Sequence, residues 1–161
     1  MGAGRIIAII GGIVGILSIV LYYAMPGFFC LWRFDGGAAL TIFAGGFGST
    51  SGTLVGIDYG PDSAEDMLFL IVAILIIAGG VLALIGGIAE NKALGIIGGI
   101  LMLAGPGLLV VELFLELGFW EGFPEFALWG SQAGANWGVW IGFFMAIGGG
   151  VLGIIGGATS D

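Results

Sequence analysis

Histidine is absent from this chain, cysteine occurs once, and basic residues number 3 among 161. Each scarcity removes a kind of chemistry. With no histidine and with Cys30 alone, metal sites built on His or Cys clusters, His-ligated haem and His-based catalytic triads are excluded. One cysteine cannot close a disulfide within the chain. Cys30 is expected to be an apolar residue at a membrane edge, with an intermolecular disulfide or a lipid attachment as the other readings. Charged residues make up 9% of the chain, and 3 basic against 11 acidic residues give a net charge of −8. That balance disfavours a nucleic-acid partner, which requires basic surface.

What is present is apolar. Hydrophobic residues make up 59% of the chain and the mean hydropathy is +1.20, which excludes an ordinary soluble domain. Four long apolar runs cover 5–25, 67–88, 93–117 and 137–158. Each is long enough to cross a ~30 Å hydrocarbon core, which takes ~20 helical residues. The first run exceeds the ~7–15 apolar residues of a signal peptide and is expected to remain as a span. The expected fold is all-α, a four-helix transmembrane bundle forming one domain over 1–161, with loops at 26–66 and 118–136. Arg5 and Lys92 lie at one end of the spans, whereas Arg33 stands alone in the first long loop. Positive-inside bias then places both termini and the Glu90-Asn91-Lys92 turn in the cytoplasm of a multi-pass cell-membrane protein. The long loops face outward and carry Asp35, Asp58, Asp62, Glu65, Asp66, Glu121 and Glu125.

Glycine recurs at helical spacing. Gly149, Gly153 and Gly157 form one ladder, and Gly79, Ala83 and Gly87 form another. Gly11 with Gly15 and Gly95 with Gly99 add further pairs, and Gly142, Ala146 and Gly150 form a second strip on the fourth span. Residues four apart share a helix face, so each strip lets another backbone come close, a main means of helix association in lipid. The strips either close the chain's own bundle or meet another protomer. They lack the lysine and the helix-start context of a phosphate loop.

The spans also repeat. Ile9-Ile10-Gly11-Gly12-Ile13 matches Ile96-Ile97-Gly98-Gly99-Ile100, and Gly79-Gly80 through Gly86-Gly87 matches Gly149-Gly150 through Gly156-Gly157. Between them, Phe29-Cys30-Leu31-Trp32 echoes Phe126-Ala127-Leu128-Trp129. A duplicated hairpin, 1–89 and 93–161, accounts for this order; convergence of Gly- and Ile-rich helices is the alternative.

In the first loop, 39–43 and 53–59 are β-prone and flank a Gly/Ser-rich stretch at 45–52, which predicts a small extracellular hairpin with a flexible turn. Pro61-Asp62-Ser63 is expected to end it. Ser63 would cap the second span's helix, with Glu65 and Asp66 in its first turn. The tryptophans, Trp32, Trp120, Trp129, Trp137 and Trp140, all lie at or near the outer boundary. They read as an interfacial belt or as an aromatic cap that holds a partner subunit or a lipid. Glu112 and Glu116 share one face of the third span, a turn beyond Gly105-Pro106-Gly107, where proline tends to kink a helix. They are candidates for an ion or proton site. Otherwise they are carboxylates at the outer end that reach water or pair with Arg33. No nucleophile or metal ligand accompanies them, so neither an enzyme nor a cofactor is expected.

Four spans, cytoplasmic termini, a long β-prone first loop with Leu31-Trp32 near its start and a shorter second loop resemble the claudin-type tetraspan group, peripheral myelin proteins included. That group's pattern is Gly-Leu-Trp followed by two disulfide-linked cysteines; here Cys30 precedes Leu31-Trp32 and no second cysteine exists. The leading expectation is a membrane scaffold or assembly subunit, a homo-oligomer or part of a larger complex joined through glycine faces, with membrane lipids and membrane subunits as partners. The alternative is a small ion or proton channel or transporter using Glu112.

Overall fold

The computed structural model describes residues 2–37, 40–54, 57–65, 67–115 and 128–160, with backbone alone at 54 and 57–65. Four helices are long and apolar enough to cross a membrane. They are α1 (Ala3–Val20), continued by a 3-10 turn at Leu21–Tyr23, α3 (Met67–Ile88), α4 (Lys92–Leu115) and α5 (Ile141–Thr159); α2 (Pro26–Phe29) is a single turn. Spans of 19 to 24 residues rise ~29–36 Å at 1.5 Å per residue, matching a bilayer core. The fourth span starts at Ile141 rather than at 137, because 135–139 is a strand. Residues 116 and 117, the expected end of the third span, lie outside the described residues.

The bundle is a ring in which α1 packs on α3 and α5, and α4 packs on the same two helices from the opposite side. The glycine strips expected to meet either the chain itself or another protomer face inward. A Cβ at Gly12 would stand 2.5 Å from the Gly80 carbonyl oxygen, and one at Gly99 2.5 Å from that of Gly150. One at Gly11 would stand 2.7 Å from the Gly149 oxygen, and one at Gly98 2.5 Å from that of Gly79. Gly87 meets the Arg5 carbonyl, and Gly157 meets the Lys92 carbonyl, each at 2.9 Å. Gly95 faces Gly157 at 2.8 Å. All but the last of these contacts come in matched pairs. Shifting span one onto span three and span two onto span four, with three and four passing to one and two, turns each of those six contacts into its mate. Met102 is its own case: fully buried on α4, its side chain reaches Gly15 of α1, Gly79 of α3 and Gly153 of α5. One thioether side chain therefore fills the bundle axis against glycines from all three other helices.

At the end that holds the termini, Arg5 ties α1 to the end of α3. Its Nε donates to the Gly87 carbonyl and its Nη2 to that of Ile88, both at 3.2 Å, and Nη1 pairs with Glu90 at 2.6 Å. A cation among the last free carbonyls complements the helix dipole. Asn91 Oδ1 accepts from the Leu94 amide and caps α4.

The expectation of an all-α fold with one small hairpin is corrected at the opposite end. The loops build an antiparallel sheet of β1 (Trp32–Asp35), β2 (Leu40–Gly45), β3 (Ser49–Leu54), β4 (Ile57–Glu65), β5 (Trp129–Gln132) and β6 (Ala135–Val139), in the order β4-β3-β2-β1-β6-β5. The stretch expected as a flexible turn is strand over Ser49–Gly52, and the turn is only Gly46-Phe47-Gly48, with φ +55° and +80° at its two glycines. Pro61-Asp62-Ser63 does not end β4, which continues to Glu65. The proline sits on an edge strand, in the stretch where pairing with β3 is interrupted. The ladder does slip there: Tyr59 pairs with Gly52, and the next pair is Ala64 with Thr50. Ser63 and Glu65 therefore belong to the strand, not to the cap or first turn of α3. Asp66 lies outside the described residues.

One face of the sheet covers the bundle. Trp32, Ala44 and Val139 join Ile19, Phe69, Val72, Leu109, Leu113 and Phe143 in a single buried core, with Phe34, Ile42 and Trp137 packed against it. Tyr22, buried at the end of α1, hydrogen-bonds the Phe43 carbonyl and Ser51 Oγ, both at 3.0 Å.

Candidate functional site

Residues directly opposite one another on neighbouring strands share a face of the sheet. On the face turned away from the core, one such row reads Phe43, Arg33, Gly138, Trp129, and the next reads Thr41, Asp35, Asn136, Ser131. Gly138 thus lies between Arg33 and Trp129, on strands spaced ~4.8 Å apart. A Cβ at Gly138 would collide with the Trp129 ring. The bare glycine lets the Trp129 ring lie against the strand, and beside it is a trough of about 450 Å³, lined by Arg33, Trp129, Ser131, Asn136 and Trp140 over a floor of Gly130, Trp137 and Gly138. That volume falls within the range of small-molecule sites.

The trough's cation is fixed from several sides. Arg33 Nη2 donates to Asp35 Oδ2 at 2.7 Å, and the guanidinium carbon lies 5.2 Å from the Trp140 ring centre and 5.4 Å from that of Phe43. Both distances allow cation–π attraction. The Gly37 amide, with Arg33 second, holds the Asp35 carboxyl below its usual range. Asp35 is therefore charged at neutral pH. Trp129, 59% exposed, stacks on Phe144 of α5 with centroids 6.0 Å apart.

The tryptophans expected to form one outer cap divide by role. Trp32 is fully buried and stacks on Phe34, which stacks on Trp137, so these rings hold the sheet to the core. Trp129 and Trp140 open outward beside the trough. Trp120 lies outside the described residues.

Glu112 does not reach water. It is 1% exposed, on the buried face of α4 between the core residues Leu109 and Leu113. Three residues from the described end of α4, it sits ~5 Å inside that helix end. Glu116, the second candidate, lies outside the described residues. α4 is continuous through Gly105-Pro106-Gly107, and Pro106 is buried. Proline removes only the bond to the Met102 carbonyl, four residues earlier. Gly105 lets α3 approach, because a Cβ there would meet Val72 and Ile76, whereas Gly107 faces open space.

Cys30 is buried, and desolvation pushes its thiol up to about 12, with the Arg33 charge acting the other way. At neutral pH it is an unreactive thiol. Among the described residues no three or more His, Cys, Asp and Glu side chains converge as a metal site would require.

Sequence reasoning found the tryptophans but not the trough. The missed residues are Arg33 as a pocket wall and Gly138 as its floor. Their signal is the Trp-Gly alternation in 137–140 with a second Trp-Gly at 129–130, which reads as strand once the helix start is moved to Ile141. The sequence matches no protein-family model and no curated protein.

Proposed function

We propose that this chain is a multi-pass scaffold or assembly subunit of a cell membrane, with both termini and the Glu90–Lys92 turn in the cytoplasm and the sheet outside. The observation that carries the reading is Met102, which fills the bundle axis between Gly15, Gly79 and Gly153. A bundle closed on itself at backbone contact is a solid pedestal, and the feature it displays is the sheet. Because the glycine strips are used within the chain, assembly runs through the sheet rather than through helix faces. The placement of Arg5 and Lys92 at one end, against acidic residues at the other, supports the orientation. We read the matched helix contacts as those of a duplicated hairpin, and the topology with Leu31-Trp32 as kinship with the claudin-type tetraspans, without their disulfide.

The experiment is native mass in a mild detergent combined with ion flux in liposomes. A scaffold gives a mass above that of one chain, or a co-purifying membrane subunit, and no flux. Buried Glu112 is the observation that favours the alternative, a proton or ion path. Flux that disappears in Glu112→Gln while the mass is unchanged would establish that alternative and sink the scaffold.

A further inference from the structure

We propose that the trough between Arg33 and Trp129 binds the headgroup of a zwitterionic glycerophospholipid, with an acyl chain lying down the outward face of α5. The inference goes beyond the scaffold reading and shares with it only the premise that the helices span a bilayer.

Depth is the first argument. Trp140 immediately precedes the span that begins at Ile141. The Gly138 row lies two residues farther out, ~7 Å along the strand. Polar headgroups occupy ~5–8 Å on each side of the hydrocarbon core. The trough therefore opens at headgroup level.

The order of charges is the second. β6 runs toward the span, Arg33 lies opposite Gly138, and Asp35 lies opposite Asn136. The cation is thus nearer the hydrocarbon and the anion one row farther out. A zwitterionic phospholipid presents charges in the complementary order, phosphate next to the glycerol and ammonium beyond it. Arg33 commits Nη2 to Asp35, which leaves Nε and Nη1 for a phosphodiester oxygen. Asp35, with Asn136 and Ser131 in its row, faces the ammonium. Trp129 and Trp140 wall the trough with amphipathic rings suited to the interface.

The third argument is the path below. Trp129 stacks on Phe144, and the exposed Phe144, Val151 and Ile155 with the half-buried Gly148 form one stripe down α5. Nothing stands within 4 Å of the place a Gly148 Cβ would occupy, so the stripe has a recess one turn below the ring. Between Glu125 and Asp161 the chain carries no charge, so this side accepts a lipid along its whole length. A net anionic lipid would bring its uncompensated charge to an end of the molecule rich in carboxylates.

The test is native mass spectrometry of the full chain in mild detergent, titrated with dioleoylphosphatidylcholine, dioleoylphosphatidylglycerol, dioleoylglycerol or soluble glycerophosphocholine. Phosphatidylcholine is expected to be retained at one molecule per chain, and at least tenfold more tightly than phosphatidylglycerol or dioleoylglycerol. Glycerophosphocholine is expected to compete weakly. Arg33→Gln lowers phosphatidylcholine retention at least tenfold and Trp129→Ala several-fold. Gly148→Leu, whose Cβ would meet nothing within 4 Å, lowers it several-fold and leaves glycerophosphocholine competition unchanged. Retention of dioleoylglycerol or phosphatidylglycerol as tight as that of phosphatidylcholine overturns the proposal. So does wild-type retention in Trp129→Ala, which decides the matter should Arg33→Gln not fold. The same spectra report the protein's oligomeric mass, so loss of the scaffold reading is seen separately.

Discussion

The two halves of the chain agree inside the bundle and part company outside it. Gly12 meets Gly80 as Gly99 meets Gly150, and Gly87 meets Arg5 as Gly157 meets Lys92. Beyond the helix ends, the described residues of the first half build four strands and those of the second build two. The matched tryptophans show the divergence best: Trp32 is fully buried in the core, whereas Trp129 is 59% exposed beside the trough. Backbone contact between helices tolerates almost no change, and both halves carry small residues at the matched positions. Loops carry no such constraint, and one half's tryptophan is core while its counterpart is surface.

That comparison can be attacked at positions that should behave alike and at positions that should not. The largest effect is expected at the tryptophans. Trp32→Ala should lower stability by about 4 kcal/mol and Trp129→Ala by less than about 0.5 kcal/mol, read from thermal unfolding in detergent. Equal losses would mean that the two rings have not diverged.

Next comes the axis, where Met102 and Gly15 are mates under the shift and also touch. Met102→Gly should cost about 3 kcal/mol through the cavity it leaves, and Gly15→Met a similar amount through overpacking. The double swap should recover at least about 1 kcal/mol of the summed loss; strict additivity in the double-mutant cycle would remove Met102 from the axis.

A smaller loss, about 2 kcal/mol, is expected for Gly12→Ala and for Gly99→Ala, since a Cβ at either would enter a facing carbonyl. The two melting shifts should agree closely, and a large inequality would break the matched geometry. Smallest is Gly148→Ala. Its mate is Ala78, and open space surrounds it. Here the substitution should stabilise by up to about 1 kcal/mol through helix propensity alone, and a loss on heating would show that the recess is occupied by packing.

The spans were legible because their length answers to bilayer thickness, a constraint written in composition. The matched glycines were legible as well, but not their destination: spacing puts residues on one face and does not say what faces them. The sheet was read only in part. Ser49–Gly52 is rich in the residues of turns, yet it is a strand because β2 and β4 pair with it on both sides; tertiary pairing outweighed local preference. The β5–β6 hairpin went unread because its two-residue turn is Ala133-Gly134, with φ +50° and +90°. A turn of that shape needs positive φ at both positions and usually announces itself with Asn-Gly. Alanine there costs about 1 kcal/mol and gives no signal. Glu112's burial was not legible either, since the core that encloses the end of α4 is completed by strands from the other half.

The place of β1 in the sheet has a consequence for how the molecule is made. β1 lies between β2, its near neighbour in sequence, and β6, which appears about a hundred residues later. During synthesis the first four strands can pair as soon as they emerge, but the β1 flank waits for the last hairpin. Arg5 likewise waits for the carbonyls of Gly87 and Ile88. The earliest segments are thus bound by much later ones, a high-contact-order arrangement that makes closure a late event. Until the final span is inserted, Arg33 and the trough have only one wall.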